Sequence, residues 1–204
     1  MEDLSLHILD VVENSTRAGA TLVEIRLVLD EEGWLVLQIR DNGRGMDQET
    51  AERAIDPFVT SRATRRVGMG LSLLAQAAEE TGGRVRIRSR PGEGTEVTAK
   101  FKADHIDMRP LGDLGETMVA LILGNPDVDF VFESDYCGGG TRLDTREIRR
   151  ELGGVPITAP EVLSLIRDLM VQDRRQAEAA LEKIGGRSHG EAQGRRSEED
   201  KGVR

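Results

Sequence analysis

Hydrophobic residues follow two different spacings in the first half of the chain, and each spacing predicts one kind of element. Apolar residues three or four positions apart predict helices over residues 4–18, 47–55 and 70–81. Alternating apolar and polar residues predict two pairs of strands, over residues 21–29, 34–40, 84–89 and 93–101. Each strand has one apolar face, so the helices should cover that face alone. The pattern therefore predicts an α/β (α+β) two-layer sandwich over residues 1–102.

The second half of the chain has a weaker, mixed pattern. Helical spacing over residues 116–123 is followed by strand-like alternation over 128–132. Capping-box patterns predict the starts of two further helices, at Asp144 with Glu147 and at Thr158 with Glu161. The last helix is predicted to run from residue 160 to about residue 183. Residues 103–184 are therefore predicted to form a small α+β C-terminal region of unknown role, followed by a disordered tail, 185–204, with almost no apolar side chains.

Composition argues against several classes of partner. The chain has 28 basic and 37 acidic residues, a formal net charge of -9 and 3% aromatic residues, whereas nucleic-acid binding needs a basic face and often stacking aromatics. No apolar run approaches the roughly 20 residues that span a bilayer. No leader peptide is expected at the N-terminus, and the one cysteine, Cys137, cannot form an internal disulfide. These features predict a cytoplasmic protein that binds neither nucleic acid nor a membrane.

Arginine occupies every second position of the third predicted strand, at Arg84, Arg86, Arg88 and Arg90. Such a row on the outer face of a sheet is similar to an anion-binding or nucleic-acid site. Glu24 and Glu96 are predicted to lie on the same face, so the pattern favours a solvated surface of mixed charge over such a site. A docking surface for an acidic partner is the alternative.

Polar side chains form a stripe along the first predicted helix. The stripe contains His7, Asp10, Asn14 and Arg17 and lies opposite the apolar residues of that helix. A carboxylate can orient or deprotonate a water, an amide oxygen can ligate a hard cation such as Mg²⁺, and a guanidinium can bind phosphate. The stripe therefore fits magnesium-nucleotide chemistry, although a solvated helix face produces the same pattern.

Glycine-rich segments follow at three points where an element begins or ends. Residues 41–46 (DNGRGM) follow the second strand, and the carboxylate of Asp41 could accept a hydrogen bond from an exocyclic amine. Residues 68–72 (GMGLS) open the third helix, where backbone N–H groups can bind phosphate. Residues 92–95 (GEGT) begin the last strand of the sandwich. Each segment alone also fits an ordinary turn.

In order and spacing, these segments resemble the Bergerat-fold (GHKL) ATP-binding domain of histidine kinases, anti-sigma kinases, type II topoisomerases, the chaperone Hsp90 and MutL. The resemblance covers residues 4–101. The matching segments are an N box at 10–20, a G1 box at 41–46, an F-like box at 56–58, a G2 box at 68–71 and a G3 box at 92–95. The resemblance implies the Bergerat fold, with ATP and Mg²⁺ as ligands.

The resemblance also implies a role for each matched residue. Asn14 would ligate Mg²⁺, and Arg17 would contact phosphate. Asp41 would bind the adenine amine, with Thr95 holding a bridging water. The base pocket and the phosphate site would be completed by Gly43, Gly45, Met46, Gly68, Gly70 and Leu71, under a lid that contains Arg62, Arg65 and Arg66.

The chain departs from the family pattern at several positions. Asp10 stands in the place of the general base, where hydrolytic members carry the longer glutamate, and Glu13 is the competing candidate. Arg66 replaces the first glycine of the usual G2 sequence. Histidine kinases carry a phosphorylatable histidine on a helical hairpin before this domain. No such hairpin is expected here, and His7 and His105 are predicted to be structural.

Three functions are compatible with the resemblance. The first is a signalling or regulatory enzyme that transfers the γ-phosphoryl group to a partner protein, or hydrolyses ATP to switch that partner. The second is a non-catalytic ATP-sensing module, and the third is a MutL-like dimeric mechanical ATPase. The C-terminal half is similar to stand-alone ATP-binding proteins that accompany hydrogenase or NADH-oxidising subunits. That similarity implies a redox-associated protein partner, and a homodimer is the alternative assembly.

Overall fold

The computed structural model describes residues 3–54 and 70–199, with side chains described as far as residue 185. In chain order, the elements are α1 (Leu4–Arg17), β1 (Leu22–Leu29), β2 (Trp34–Asp41), α2 (Gln48–Arg53), α3 (Gly70–Glu80), β3 (Arg84–Arg90), β4 (Gly94–Lys102), α4 (Leu114–Gly124), β5 (Asp129–Tyr136), β6 (Arg142–Asp144), α5 (Thr145–Glu151) and α6 (Pro160–Glu199). The helices and strands of the first half lie close to their predicted bounds. Aspartate side chains cap the N-termini of α1, α2, α4 and α5, as the sequence predicts for α5.

The strands form one six-stranded sheet in the order β3-β4-β2-β1-β5-β6. β1 pairs antiparallel with β2 and parallel with β5, and β4 pairs antiparallel with both β2 and β3. Alternate residues of β1 and β2 are buried, and they share one hydrophobic cluster with residues of α1, α3, α4 and α6. Apart from Asp41, which is buried, the charged residues of β1 to β4 lie on the opposite face. The predicted two-layer arrangement of helices on one face of a sheet is confirmed.

The predicted boundary at residue 102 does not divide the hydrophobic core. β5 pairs along the whole of β1, from Leu22 with Asp129 to Leu29 with Tyr136, and α4 packs against α1. Residues of α4, β5 and α6 belong to the same buried cluster as those of β1. β5 and β6 therefore extend the sheet beyond residue 102, and the division of the chain at that residue stays a prediction. Local spacing predicted a strand at β5, but not that its neighbour is β1, because pairing between distant segments leaves no local pattern.

The last helix is longer than its apolar spacing predicts. The sequence places its end near Lys183 and a disordered tail over 185–204, whereas α6 runs over Pro160–Glu199. Apolar spacing marks only the part of a helix that packs against other elements, so it does not locate the end of a helix that continues beyond that part.

Candidate functional site

The carboxylate of Asp41 links three elements at the end of β2. Asp41 is buried, with 8% of its surface exposed. Its Oδ2 accepts a hydrogen bond from Ser15 Oγ of α1 at 2.7 Å. Its Oδ1 accepts from the backbone N–H of Gly43 at 2.8 Å and from that of Thr95 at 3.3 Å. These bonds hold the carboxylate between α1, the loop after β2 and the start of β4, in a fixed position from which it can accept further hydrogen bonds.

A cavity of about 120 Å³ lies beside this carboxylate. It brings together residues from the predicted N, G1, G2 and G3 boxes, which are far apart in the sequence. The predicted site residues that line it are Asn14, Arg17, Asp41, Gly45, Met46, Leu71 and Thr95. Apolar walls are supplied by Val11, Ala18 and Val97, and two polar residues, Ser15 and Arg44, also line it. A small, partly apolar cavity with a fixed buried acceptor is suited to a flat heterocycle.

Two glycines allow the backbone segments around the cavity to approach closely. Gly45 has a φ of +66°, and a Cβ added there would lie 1.9 Å from the carbonyl oxygen of Arg90. Gly94 has a φ of +100°, and a Cβ there would lie 2.0 Å from the carbonyl oxygen of Asp41. Because an L side chain would collide with backbone at either position, glycine is required to bring the G1 and G3 segments together.

Ser89 connects the same two segments, and the sequence did not single it out. Its Oγ accepts from the backbone N–H of Met46 at 2.8 Å and lies 3.0 Å from the carbonyl oxygen of Gly94. It also lies 2.9 Å from Thr95 Oγ1. In the sequence, Ser89 could have been noticed as a small hydroxyl residue at an inward position of an arginine-rich strand. The structure places it directly across from Thr95 in the β3–β4 register. Ser15 lies within the N box, where its local pattern indicates no separate role, yet its hydroxyl donates directly to Asp41.

The residues of the polar stripe on α1 differ in burial and do not all face the cavity. His7 is 3% exposed and therefore belongs to the buried side of the helix, whereas Asp10 and Arg17 are exposed. A buried imidazole is shielded from phosphoryl transfer. The exposed His105 accepts a hydrogen bond at Nδ1 from the N–H of Asp107 at 3.2 Å, a local turn contact. Asn14 and Arg17 line the cavity, so these two residues of the stripe share it with Asp41.

Comparison with known proteins assigns the chain to a family. Residues 2–105 match the family described as histidine kinase-, DNA gyrase B-, and HSP90-like ATPase. The chain belongs to this family. The match ends shortly after β4, so it contains α1 to α3 and β1 to β4 with all the residues around the cavity. Membership of this ATPase family makes ATP the nucleotide that the domain binds.

Relatives of the ATPase domain come from two groups of proteins. A putative sensor protein of Shewanella frigidimarina is 33% identical over 98 residues, which are 46% of this chain and 15% of that protein. The nitrogen regulation protein NtrY of Azorhizobium caulinodans is 37% identical over 71 residues, or 34% of this chain and 9% of that protein. The DNA mismatch repair protein MutL of Anaeromyxobacter dehalogenans is 27% identical over 228 aligned positions, covering 91% of this chain and 36% of MutL. The chain thus matches only a minor part of each of these relatives.

Among solved structures, the Aquifex aeolicus MutL ATPase domain complexed with ADP is 20% identical to this chain, with a TM-score of 0.48. The match covers 71% of this chain and 63% of that structure.

Within the ATPase domain, the two candidate catalytic acids have different surroundings. A Cβ added to Gly70, at the start of α3, would lie 2.7 Å from Asp10 Cβ, so Asp10 adjoins the N-terminus of that helix. Glu13 forms an ion pair with Arg17 on the same helix, and Arg17 Nη1 also donates to Asn14 Oδ1 at 3.4 Å. The contact with Arg17 engages the carboxylate of Glu13.

Part of the predicted site lies outside the described residues. These positions are the F-like box at 56–58, Arg62, Arg65, Arg66 and Gly68. Within residues 3–54 and 70–185, no cluster of three or more His, Cys, Asp and Glu side chains could hold a metal ion. Of the described helices, none combines the length and the apolar character needed to cross a membrane.

Proposed function

We propose that this chain binds Mg²⁺-ATP and either transfers the γ-phosphoryl group to a partner protein or hydrolyses ATP to switch that partner. The observation that carries the proposal is the Asp41 carboxylate, held by Ser15, Gly43 and Thr95 at the wall of a cavity that Asn14 and Arg17 also line. The cavity wall thus offers one group that can accept a hydrogen bond from the adenine base and one that can ligate the cation.

The donor set fits the nucleotide. Ser15 donates to Asp41 Oδ2 and leaves a second lone pair on that oxygen for an exocyclic amine. Arg17 and Arg44 are cations on the cavity lining and could neutralise phosphate charge. Asn14 offers an amide oxygen, and Mg²⁺ commonly binds one or two protein oxygens together with phosphate oxygens and waters. Such a site needs no cluster of acidic side chains.

Asp10 is the better placed candidate for the general base. Its neighbour Gly70 opens α3, and a helix N-terminus is where backbone N–H groups bind phosphate. A carboxylate beside that terminus could orient a water or an acceptor hydroxyl for in-line attack on the γ-phosphorus.

The experiment follows ATP binding and turnover separately in the full chain. With γ-labelled ATP and Mg²⁺, Asn14→Ala should abolish binding, and Asp10→Asn should keep binding but stop release or transfer of the label. Asp168→Asn removes one exposed carboxylate from α6 and should change neither quantity. Absence of binding in the wild type would contradict the proposal. Bound but intact ATP would favour the non-catalytic sensing function, and loss of turnover in Glu13→Gln instead of Asp10→Asn would exchange the roles of these residues.

The second candidate function is a MutL-like dimeric ATPase. It is favoured by the MutL alignment, which covers 91% of this chain, whereas the sensor proteins match less than half of it. A dimer that forms when a non-hydrolysable ATP analogue and Mg²⁺ are added, with phosphate release stimulated by DNA, would support it. A chain that stays monomeric with the analogue would favour the first function. The redox-associated partner stays a prediction, which identification of proteins that co-purify with this chain would test.

A further inference from the structure

A basic surface lies on the sheet face away from the helices. We call it the basic ladder, and it consists of Arg84, Arg86, Arg88 and Arg90 of β3 with Lys100 of β4. All five side chains are exposed. They lie close together because Lys100 is directly across from Arg84 in the β3–β4 register. The chain as a whole has a net charge of -9, so the charge of this surface is opposite in sign to that of the whole chain.

Most of this charge is not neutralised within the described part of the protein. Arg88 lies 3.7 Å from Glu96, and Arg90 lies 3.4 Å from Glu93. No acidic side chain among the described residues lies within ion-pair distance of Arg84, Arg86 or Lys100. Like charges directly across from each other destabilise a pair of strands. The lower half of the ladder, Arg84, Arg86 and Lys100, therefore carries a repulsion that an acidic partner would relieve.

The ladder is on an edge strand. β3 is the first strand in the sheet order, and β4 is its one neighbour among the described strands. An edge strand presents backbone donors and acceptors to which an extended segment can add as another strand. Residues two apart on such a segment are roughly 7 Å apart and point to the same face, as the arginines of β3 do.

We propose that β3 is the docking site for an extended acidic segment of a partner protein, with Asp or Glu at alternate positions. Added as a strand beside β3, such a segment would place its carboxylates opposite the arginines on the outer face, at cross-strand distance. A second copy of β3 would place arginine near arginine, so the ladder selects against self-pairing. This proposal concerns partner recognition and does not depend on the ATP chemistry.

The surface favours an acidic polypeptide over a nucleic acid. None of the five ladder residues is aromatic, and no aromatic side chain on β3 or β4 shares their face, so single-stranded bases would lack a stacking platform. The negative charge of the chain as a whole would also repel a phosphate backbone beyond this small patch.

The test measures binding of labelled peptides to the full chain by fluorescence anisotropy. One peptide is as long as β3 and alternates Glu with Thr, and a second has the same composition with its Glu residues contiguous. The alternating peptide should bind more tightly than the contiguous one, and high salt should weaken both. The double variant Arg84→Glu/Arg86→Glu should weaken the alternating peptide roughly tenfold to thirtyfold, because two attractive contacts become repulsive.

The matched control is Arg175→Glu/Lys183→Glu, which makes the same change of charge at exposed positions of α6. It should leave peptide binding unchanged, and retained ATP binding in both double variants would show that they are folded. Equal affinity for the two peptides, or equal weakening by both double variants, would overturn the proposal, since binding would then follow charge alone. Tighter, ladder-dependent binding of a single-stranded oligonucleotide would also overturn it in favour of nucleic acid.

Discussion

Asp41 and Asp144 are both buried carboxylates, yet their surroundings suit them to different tasks. Asp41 accepts hydrogen bonds from a hydroxyl and two backbone N–H groups, all of which are neutral. Asp144 is bound by the guanidinium groups of Arg142 and Arg146, at 2.9 Å and 2.7 Å. Neutral donors fix a carboxylate without cancelling its charge, whereas two cations cancel it. The charge of Asp41 therefore remains available to attract an amine of a ligand, whereas Asp144 stabilises the fold.

The first prediction is that Asp41→Asn weakens ATP binding about tenfold to a hundredfold with little loss of stability. The asparagine oxygen can keep the bonds from Gly43 and Thr95, and its amide can donate to Ser15. That amide would then face the adenine amine, donor against donor, which costs about 1–3 kcal/mol. Calorimetric titration with ATP, together with a thermal melt, measures both quantities.

Inosine triphosphate is the control ligand, because it carries a carbonyl where adenine carries the amine. Asp41→Asn should lower the preference for ATP over inosine triphosphate. An unchanged ratio would show that Asp41 does not contact the base.

At the scale of single residues, the sequence could identify side chains whose chemistry is visible in a local motif. Asn14, Asp41 and Thr95 each stand in such a motif, and the structure brings them to one cavity. Ser89 could not be identified in this way, because its three contacts are made across a hairpin and to the loop after β2. Its role depends on the strand register, which no local pattern specifies.

At the scale of elements, the start of α5 shows how a predicted cap is modified by its neighbours. The capping-box pattern predicts that Glu147 bonds back to the helix start. In the structure, Asp144 does accept from the N–H of Arg146 at 3.0 Å, but Glu147 instead binds Arg142 at 2.8 Å. The hydrogen bonds from Arg146 lower the pKa of Asp144 to about 2. The short strand β6 and the helix α5 are thereby joined at one ionised carboxylate.

The second prediction follows from this lowered pKa. The folded protein holds Asp144 ionised below its ordinary pKa of 3.8, so the contribution to stability is complete above pH 3.8 and is lost as the pH falls towards 2. Asp144→Asn should therefore cost about 2 kcal/mol at neutral pH, and the difference from the wild type should shrink in acid. Urea unfolding at several pH values measures this. Asp168→Asn should show no such trend, and a constant cost for Asp144→Asn would contradict the assignment.

At the scale of the whole molecule, the sheet is continuous across the predicted boundary at residue 102. β5 covers one edge of β1, and the carboxylate of Asp173 on α6 accepts hydrogen bonds from Ser134 and Tyr136 of β5. Burial raises the pKa of Asp173, and burial together with the nearby Asp173 carboxylate raises the pKa of Tyr136. These contacts tie the last helix to the sheet.

The third prediction is that residues 1–102 do not fold as an independent unit. Without β5, the buried strand β1 would expose its edge, and without α4 the helix α1 would lose a packing partner. We expect a fragment of residues 1–102 to aggregate or to melt without a cooperative transition. A fragment of residues 1–185 keeps every described side chain of the core and should melt like the full chain, as monitored by circular dichroism. Cooperative melting and ATP binding by the shorter fragment would instead establish residue 102 as a domain boundary.

The sequence predicted the elements of the molecule better than their assembly. α1 to α3 and β1 to β4 follow from spacing within short windows, and the boxes follow from order along the chain. The parallel pairing of β1 with β5 brings Leu22 to Asp129, and it could not be predicted because both partners are apolar strands that fit several neighbours.

The parallel pairing of β1 with β5 also affects how the chain folds during translation. β1 and β2 are synthesised early and can form their hairpin at once, whereas β5 is translated only after all the strands of the ATPase domain. At about 5–20 residues per second, translation leaves one edge of β1 without its strand partner for several seconds, and β1 carries Val, Ile and Leu at alternate positions. Binding of a chaperone to that open side, until β5 arrives, would protect the chain from misassembly during its own synthesis.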